Sequence, residues 1–276
     1  MRTLYITDLD GTMLNSCGEL SVFSKESIKK LVENGVLFSV ATARTAATVI
    51  DMFKGTNLQT PIALMNGVCI YDTKLKKNVI SHSIDKKAAQ KVLSVYAEHS
   101  KHPMLYFDKG ELLEIVYTEI DNIHQYEYIT DRNTRKLKKF VKAKNYNLEN
   151  DDTLLYIVSF DKPSELNGIY NKICNIDSVV SCFYADNYTD CHFLETMNSS
   201  ISKGTAATEI KRLTGADKIV AFGDNLNDIP LFEVADEAYA VSNAHDDLKR
   251  IATGIIGSND SDAVVNFISK HSGIKL

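Results

Sequence analysis

Two aspartates one residue apart are the first residues in this chain able to do chemistry. Asp8-Leu9-Asp10-Gly11-Thr12 follows directly on Leu4-Tyr5-Ile6, a short apolar run of strand-forming residues. Carboxylates at that spacing can serve different purposes: one attacks an electrophile or holds a hard cation, and the other transfers protons. Calcium loops and plain acidic turns share the Asp-x-Asp-Gly pattern, so its meaning depends on a second loop. That loop is Gly223-Asp224-Asn225-Leu226-Asn227-Asp228, placed immediately after the apolar run Ile219-Val220-Ala221-Phe222. Carboxylates from both loops at one edge would make an oxygen-rich site for Mg²⁺, which prefers carboxylates, carbonyls and retained waters. Two further segments bring hydroxyls and positive charge. Thr42-Ala43-Arg44 offers a hydroxyl and a guanidinium suited to phosphate oxygens. Ser202-Lys203-Gly204 opens a predicted helix, where backbone amides, the helix dipole and an ammonium favour an anion. A lone lysine at a helix start is otherwise an ordinary surface residue.

These residues need elements to carry them. The first fifty residues read as strand, helix, strand, helix. Ser24 is the expected N-cap of a helix through Leu31 and Val32, with Gly35 stopping it. Val36–Val40 and Ile62–Leu64 are continuous apolar runs, as expected of strands covered on both faces. Asn66-Gly67 then supplies a turn. The last seventy residues repeat the alternation: a helix from about Ser202 to Leu213, a strand at Ile219–Phe222, a short helix near Pro230, a strand at Tyr239–Val241, and a helix over Asp262–Ser269. Such alternation predicts an α/β fold with a doubly wound, mostly parallel sheet. Its ligands would then lie at the carboxyl ends of the strands, where both acidic loops fall. The middle differs. It is rich in tyrosine, with candidate strands at Met104–Phe107, Leu112–Val116, Leu154–Phe160 and Val179–Tyr184 and a hairpin turn at Asp108-Lys109-Gly110. We read residues 84–190 as an inserted α+β cap and residues 1–83 with 191–276 as a discontinuous core.

In order and type, the four polar segments resemble the motifs of the haloacid dehalogenase superfamily, in its Cof-type branch of capped phosphatases. The matching residues are Asp8-Leu9-Asp10-Gly11-Thr12, Ala41-Thr42-Ala43-Arg44, Ser202-Lys203-Gly204 and Gly223-Asp224-Asn225-Leu226-Asn227-Asp228, and the resemblance spans the chain. Asn66-Gly67 also looks like that branch, whereas Ala43 stands where the branch usually has glycine. The resemblance implies a Rossmann-like core with Asp8 as nucleophile, forming an aspartyl phosphate. Asp10 would protonate the leaving alcohol and then activate water. Asp8, the Asp10 carbonyl, Asp224 and Asp228 would hold Mg²⁺. Lys203 and Thr42 would neutralise phosphoryl oxygens, while Arg44, Asn66 and Asn227 would position the substrate.

Composition narrows the alternatives. The chain has 276 residues, 44% hydrophobic and 24% charged, with a formal net charge of −5. A negative surface argues against nucleic acid or an anionic membrane as partner. No apolar stretch is long enough to span a bilayer, and the N-terminus lacks a secretory signal pattern. Five cysteines without a Cys-x-x-Cys pair suit reduced thiols, so a chain starting near Met1 in the cytoplasm is expected. The seven histidines show no zinc-ligand spacing. The run Arg132, Arg135, Lys136, Lys138, Lys139, Lys142, Lys144 reads as the solvated face of a helix. The expected activity is Mg²⁺-dependent hydrolysis of small phosphorylated metabolites such as sugar phosphates. A phosphotransferase or phosphomutase is the alternative, and a phospho-accepting switch a more distant one.

Overall fold

A computed structural model of the chain describes residues 1–110, 112–132, 138–148, 153–186 and 189–276. The chain begins with β1 (Thr3–Thr7), α1 (Val22–Glu33), β2 (Leu37–Val40), α2 (Ala46–Met52), β3 (Ile62–Leu64), β4 (Cys69–Asp72) and β5 (Lys77–Ser81). It continues through α3 (Lys86–Glu98), β6 (Met104–Asp108), β7 (Leu113–Tyr117), α4 (Ile123–Arg132), β8 (Lys138–Lys142) and β9 (Leu154–Asp161). Next come α5 (Pro163–Ile173), β10 (Val179–Ala185) and β11 (His192–Asn198). The final stretch holds α6 (Lys203–Thr214), β12 (Lys218–Gly223), α7 (Ile229–Val234), β13 (Glu237–Ala240), α8 (Asp246–Ile251), β14 (Gly254–Ile255) and α9 (Ala263–Ser272). Two compact units result: Met1–Ile80 with Ile201–Leu276, and Ser81–Ser200.

The first unit is built on a parallel sheet of order β14-β13-β12-β1-β2. The Ala41–Ala63 bridge continues it toward β3, which pairs antiparallel with β4. Leu4, Ile6, Ile219 and Ala221 are fully or almost fully buried, and α6 packs Ala206, Ala207 and Ile210 into the same cluster. Apolar side chains on both faces of a strand leave no polar row for solvent, so helices must cover the sheet on both sides. The order also has a functional consequence. From β1 the chain winds outward through β2, and on its return it winds outward the other way through β12, β13 and β14. The crevice at that reversal lies outside the carboxyl ends of β1, β2 and β12, which is where ligands bind in open sheets of this kind.

The expected cap of α1 shifts by three residues. Ser21, not Ser24, is the N-cap: its side chain accepts the Ser24 amide, while Ser24 is buried in the first turn and donates to Asp262. Either serine satisfies the capping rule from sequence, and both hydroxyls donate to Asp262; the Ser24 amide bond to Ser21 Oγ is what makes Ser21 the cap.

The second unit carries a six-stranded sheet of order β10-β11-β9-β6-β7-β8, antiparallel except for the β7–β8 pair. Helices α3 and α5 bury one face through Leu105, Ile157 and Leu194. The Asp108–Gly110 turn joins β6 to β7, with the Asp108 carboxylate accepting the Gly110 amide (2.9 Å). The second boundary falls at 200/201, beyond the expected 190/191. β11 lies between β9 and β10 and cannot leave that sheet without breaking two ladders. The basic run is no helix face: Arg132 ends α4, whereas Lys138, Lys139 and Lys142 belong to edge strand β8. Arg135 and Lys136 lie outside the described residues. A β-strand's period of two spreads these lysines over both faces, and Lys138 is buried.

Candidate active site

β1 ends at Thr7, and the Asp8 amide adds one more ladder bond by donating to the Phe222 carbonyl (2.9 Å). Asp8 is thereby fixed between the β1 and β12 loops, 5% exposed. Lys203 enters from the first turn of α6. Its Nζ donates to Asp8 Oδ1 at 2.5 Å and to Asp228 Oδ1 at 2.7 Å, and the side chain is almost fully buried. Ser202 caps α6 through a reciprocal bond with Thr205, which holds the helix start in place. Gly204 allows close approach, since a Cβ there would collide with the Pro230 carbonyl of α7. The Asp228 Oδ2 accepts the amides of Asp224 (3.0 Å) and Asn225 (3.1 Å), so one buried carboxylate both pairs the lysine and shapes the loop.

Asp224 joins the cluster from the same loop. Thr12 Oγ1 donates to its Oδ1 (2.8 Å), and Gly11 at φ +77° leaves its carboxylate room that any Cβ would occupy. Ligand atoms of Asp8, Asp224 and Asp228 all lie within 4.8 Å of one another. Burial pushes the Asp8 carboxyl well above its ordinary range, opposed by Lys203 and reinforced by Asp228 and Asp224. Burial and then Asp228 raise Asp224 to about 6, against the bond from Thr12. For Lys203, burial favours the neutral amine, but the attraction of Asp228 and Asp8 outweighs it and holds the ammonium above its ordinary value.

The remaining expected residues divide into two groups. Arg44 forks onto the exposed carboxylate of Asp10, Nε to Oδ2 at 2.8 Å and Nη2 to Oδ1 at 2.6 Å. The Asp10 side chain thus stands with Arg44, not with the three-carboxylate cluster. Thr42 is buried, its hydroxyl accepting the Arg44 amide and its carbonyl the Asn66 amide. Asn66 takes a left-handed conformation (φ 54°), and Asn227 reaches its side-chain oxygen at 3.5 Å. Ala43 does not adopt a positive φ, so its methyl meets no backbone penalty. Two residues in this network lacked a sequence signal of their own: Asn243, which donates to the Gly11 carbonyl (2.8 Å), and His245, whose amide donates to the Asp224 carbonyl (2.7 Å). Thr12 was visible only as part of its motif.

Three crowded carboxylates face a single ammonium, which leaves two negative charges uncompensated when all are ionised. Oxygen-only donors with that charge suit a hard divalent cation, which would offset both the burial and, secondarily, the mutual repulsion that raise the Asp8 and Asp224 carboxyls. The donor set therefore fits Mg²⁺.

A doubly wound sheet whose switch-point loops bring carboxylates, a buried lysine and an arginine fork together, with an α+β unit inserted in its chain, is an α/β enzyme core. Its sequence assigns it further. The profile of haloacid dehalogenase-like hydrolases matches residues 5–268, and the chain belongs to that family. It is 29% identical to a 5-amino-6-(5-phospho-D-ribitylamino)uracil phosphatase of Bacillus subtilis, over 95% of this chain and 96% of that one. It is 24% identical to a pyridoxal phosphate phosphatase of Escherichia coli, covering 96% of each. A crystal structure of a Thermotoga maritima protein superposes with a TM-score of 0.80 at 22% identity, covering 98% of this chain and 97% of that one, and shares the fold.

Proposed function

We propose that this chain is a Mg²⁺-dependent phosphatase of small phosphorylated metabolites, acting through an aspartyl phosphate. The observation that carries this reading is the buried Asp8–Lys203–Asp228 bridge beside Asp224, at the carboxyl ends of two adjacent parallel strands. Asp8, Asp224 and Asp228, with the Asp10 carbonyl, would hold the ion, whose chemistry is Lewis-acid neutralisation of phosphoryl oxygens.

A carboxylate oxygen of Asp8 attacks phosphorus as the bond to the ester oxygen breaks, and the leaving oxygen takes a proton from Asp10. Water then attacks the aspartyl phosphate, its proton passing to Asp10 as the Asp8–phosphorus bond breaks. Lys203 offsets charge that would otherwise repel the incoming dianion, and Thr42 would offer a hydroxyl to a phosphoryl oxygen. The Arg44 fork occupies both oxygens of Asp10, so proton transfer there requires it to open. A phosphate dianion is the natural competitor for that guanidinium, which couples substrate arrival to release of the acid–base group. Both relatives are named for phosphate-ester substrates, which supports the reading. A cytoplasmic setting belongs to the same proposal.

Purified protein incubated with Mg²⁺ and a panel of phosphate esters should release phosphate. Asp8→Asn or chelation by EDTA should each remove this activity, by about a thousandfold or more for the variant. Phosphate release that survives Asp8→Asn would overturn the mechanism.

A further inference from the structure

The inserted unit gathers three different donor types at a point that phosphoryl transfer leaves unused. His124 stands in the first turn of α4, while Asp190 and Cys191 lie immediately before β11. His124 Nε2 is 3.6 Å from Asp190 Oδ1, and Cys191 Sγ is 3.9 Å from the same oxygen. One ligand atom from each of the three residues lies within 4.8 Å of the other two. N–H···O bonds close at about 2.7–3.2 Å, so the histidine contact is not one, and a thiol is a weak donor. Both separations are instead close to the edges of a tetrahedral zinc shell, about 3.4–3.7 Å for bonds of about 2.0–2.3 Å.

The surroundings hold each donor as a metal would need it. Glu127 Oε2 stands 3.6 Å from His124 Nδ1, and Phe160 meets the imidazole edge-on at 6.5 Å and 76°. Nδ1 is shut off from solvent and has no hydrogen-bond partner among the described residues. A proton on Nδ1, facing the Glu127 carboxylate, leaves the Nε2 lone pair for a metal, which is how carboxylates orient ligating histidines. Cys191 is 1% exposed; its carbonyl accepts the Asp186 amide, and its own amide donates to Thr189 Oγ1. Lys162 Nζ approaches Asp190 Oδ2 at 3.4 Å, which leaves Oδ1 to the other two donors. A plain surface ion pair needs only Asp190 and Lys162. It does not need an imidazole and a buried thiol on the carboxylate's other oxygen. Imidazole and thiolate suit borderline-soft transition ions, whereas the three carboxylates of the core suit Mg²⁺.

We propose that His124, Asp190 and Cys191 form a second metal site, for a divalent ion of the Zn²⁺ class, with water as the fourth ligand. As the metal–sulfur bond forms, the S–H bond breaks and its proton passes to solvent. The ion ties the start of α4 to the start of β11 and so braces the inserted unit. This inference goes beyond the phosphatase reading and stands without it, because none of the three residues belongs to the Asp8, Asp224 and Asp228 cluster.

The test uses reduced, tag-free, full-length protein in excess Mg²⁺, which occupies the core carboxylates. Zn²⁺ is titrated by calorimetry and Co²⁺ by absorbance. One equivalent of Zn²⁺ should bind with a Kd of about 1 μM or tighter, and Co²⁺ should give thiolate-to-metal charge-transfer absorption in the near ultraviolet. Cys191→Ser should abolish that band. Cys191→Ser and His124→Ala should each weaken Zn²⁺ binding by at least about tenfold. His124 is partly exposed, so its variant carries the comparison if Cys191→Ser fails to fold. A weaker Kd in wild type, no charge-transfer band, a band that survives Cys191→Ser, or a smaller loss in either variant overturns the site. Phosphate release is scored separately. Its absence alongside the band would sink the phosphatase reading and leave this site standing.

Discussion

Lys203 and Arg44 are both cations beside an aspartate, yet burial gives them opposite energetic roles. Lys203 and its two partners are sealed, so removing the ammonium leaves Asp8 and Asp228 buried without a counter-ion. Lys203→Ala should lower stability by about 3–5 kcal/mol, read from urea denaturation, and abolish turnover. The Arg44–Asp10 pair is largely solvated, with side-chain exposures of 27% and 54%. Arg44→Ala should therefore shift stability by less than about 1 kcal/mol, while a KM-against-kcat analysis shows both parameters impaired. Equal stability losses in the two variants would contradict this division.

At the scale of elements, catalysis depends on how closely α6 approaches its neighbours. The helix begins at Lys203 because Ser202 and Thr205 cap one another there, and it can sit against α7 because residue 204 has no side chain. Gly204→Ala favours an isolated helix by about 1 kcal/mol, but here its methyl meets a backbone carbonyl that cannot move alone. The expected net result is destabilisation by about 1–3 kcal/mol, seen as a lowered thermal midpoint, with kcat falling because Lys203 shifts with the helix. An unchanged midpoint would show that α6 tolerates the displacement. Ser202→Ala should cost about 1 kcal/mol with a smaller effect on kcat.

For the molecule as a whole, the buried carboxyls set the direction of its pH dependence. Glu195 rises from an ordinary 4.5 to about 7 on folding. Below about 4.5 it is protonated in both states and contributes no difference. Between 4.5 and 7 the folded chain binds more protons than the unfolded one, so stability falls as pH rises through that window and levels off above it. The full loss is roughly 3 kcal/mol. Thermal midpoints of wild type and Glu195→Gln should therefore coincide near pH 4.5 and separate above pH 7, with the variant higher. Asp8 and Asp224 have the same sign, but a divalent ion competes with their protons. Mg²⁺ should accordingly raise the midpoint more at pH 8 than at pH 5.5, and a Mg²⁺ effect independent of pH would contradict the assignment of these carboxylates.

Much of this was written in the sequence, for local reasons. Apolar runs of strand length punctuated by polar loops announced the parallel sheet, and the order of the four motifs announced the family. The caps of α6 and the turn at Asn66-Gly67 follow from side chains acting on their own backbone. Contacts between distant segments were not legible in this way. Nothing local assigns β11 to the inserted unit, distinguishes Ser21 from Ser24 as a cap, or reveals Asn243 behind Gly11. His124 likewise gathers with the adjacent pair Asp190 and Cys191, ligand atoms within 4.8 Å, although nothing local links it to them. The sequence determined which groups could perform chemistry, because residue type and strand-end position are local properties. Only the tertiary structure decided that Arg44 holds Asp10, that Lys203 bridges two buried aspartates, and that the Glu195 carboxyl is buried, because burial and pairing depend on what the rest of the chain packs against each group.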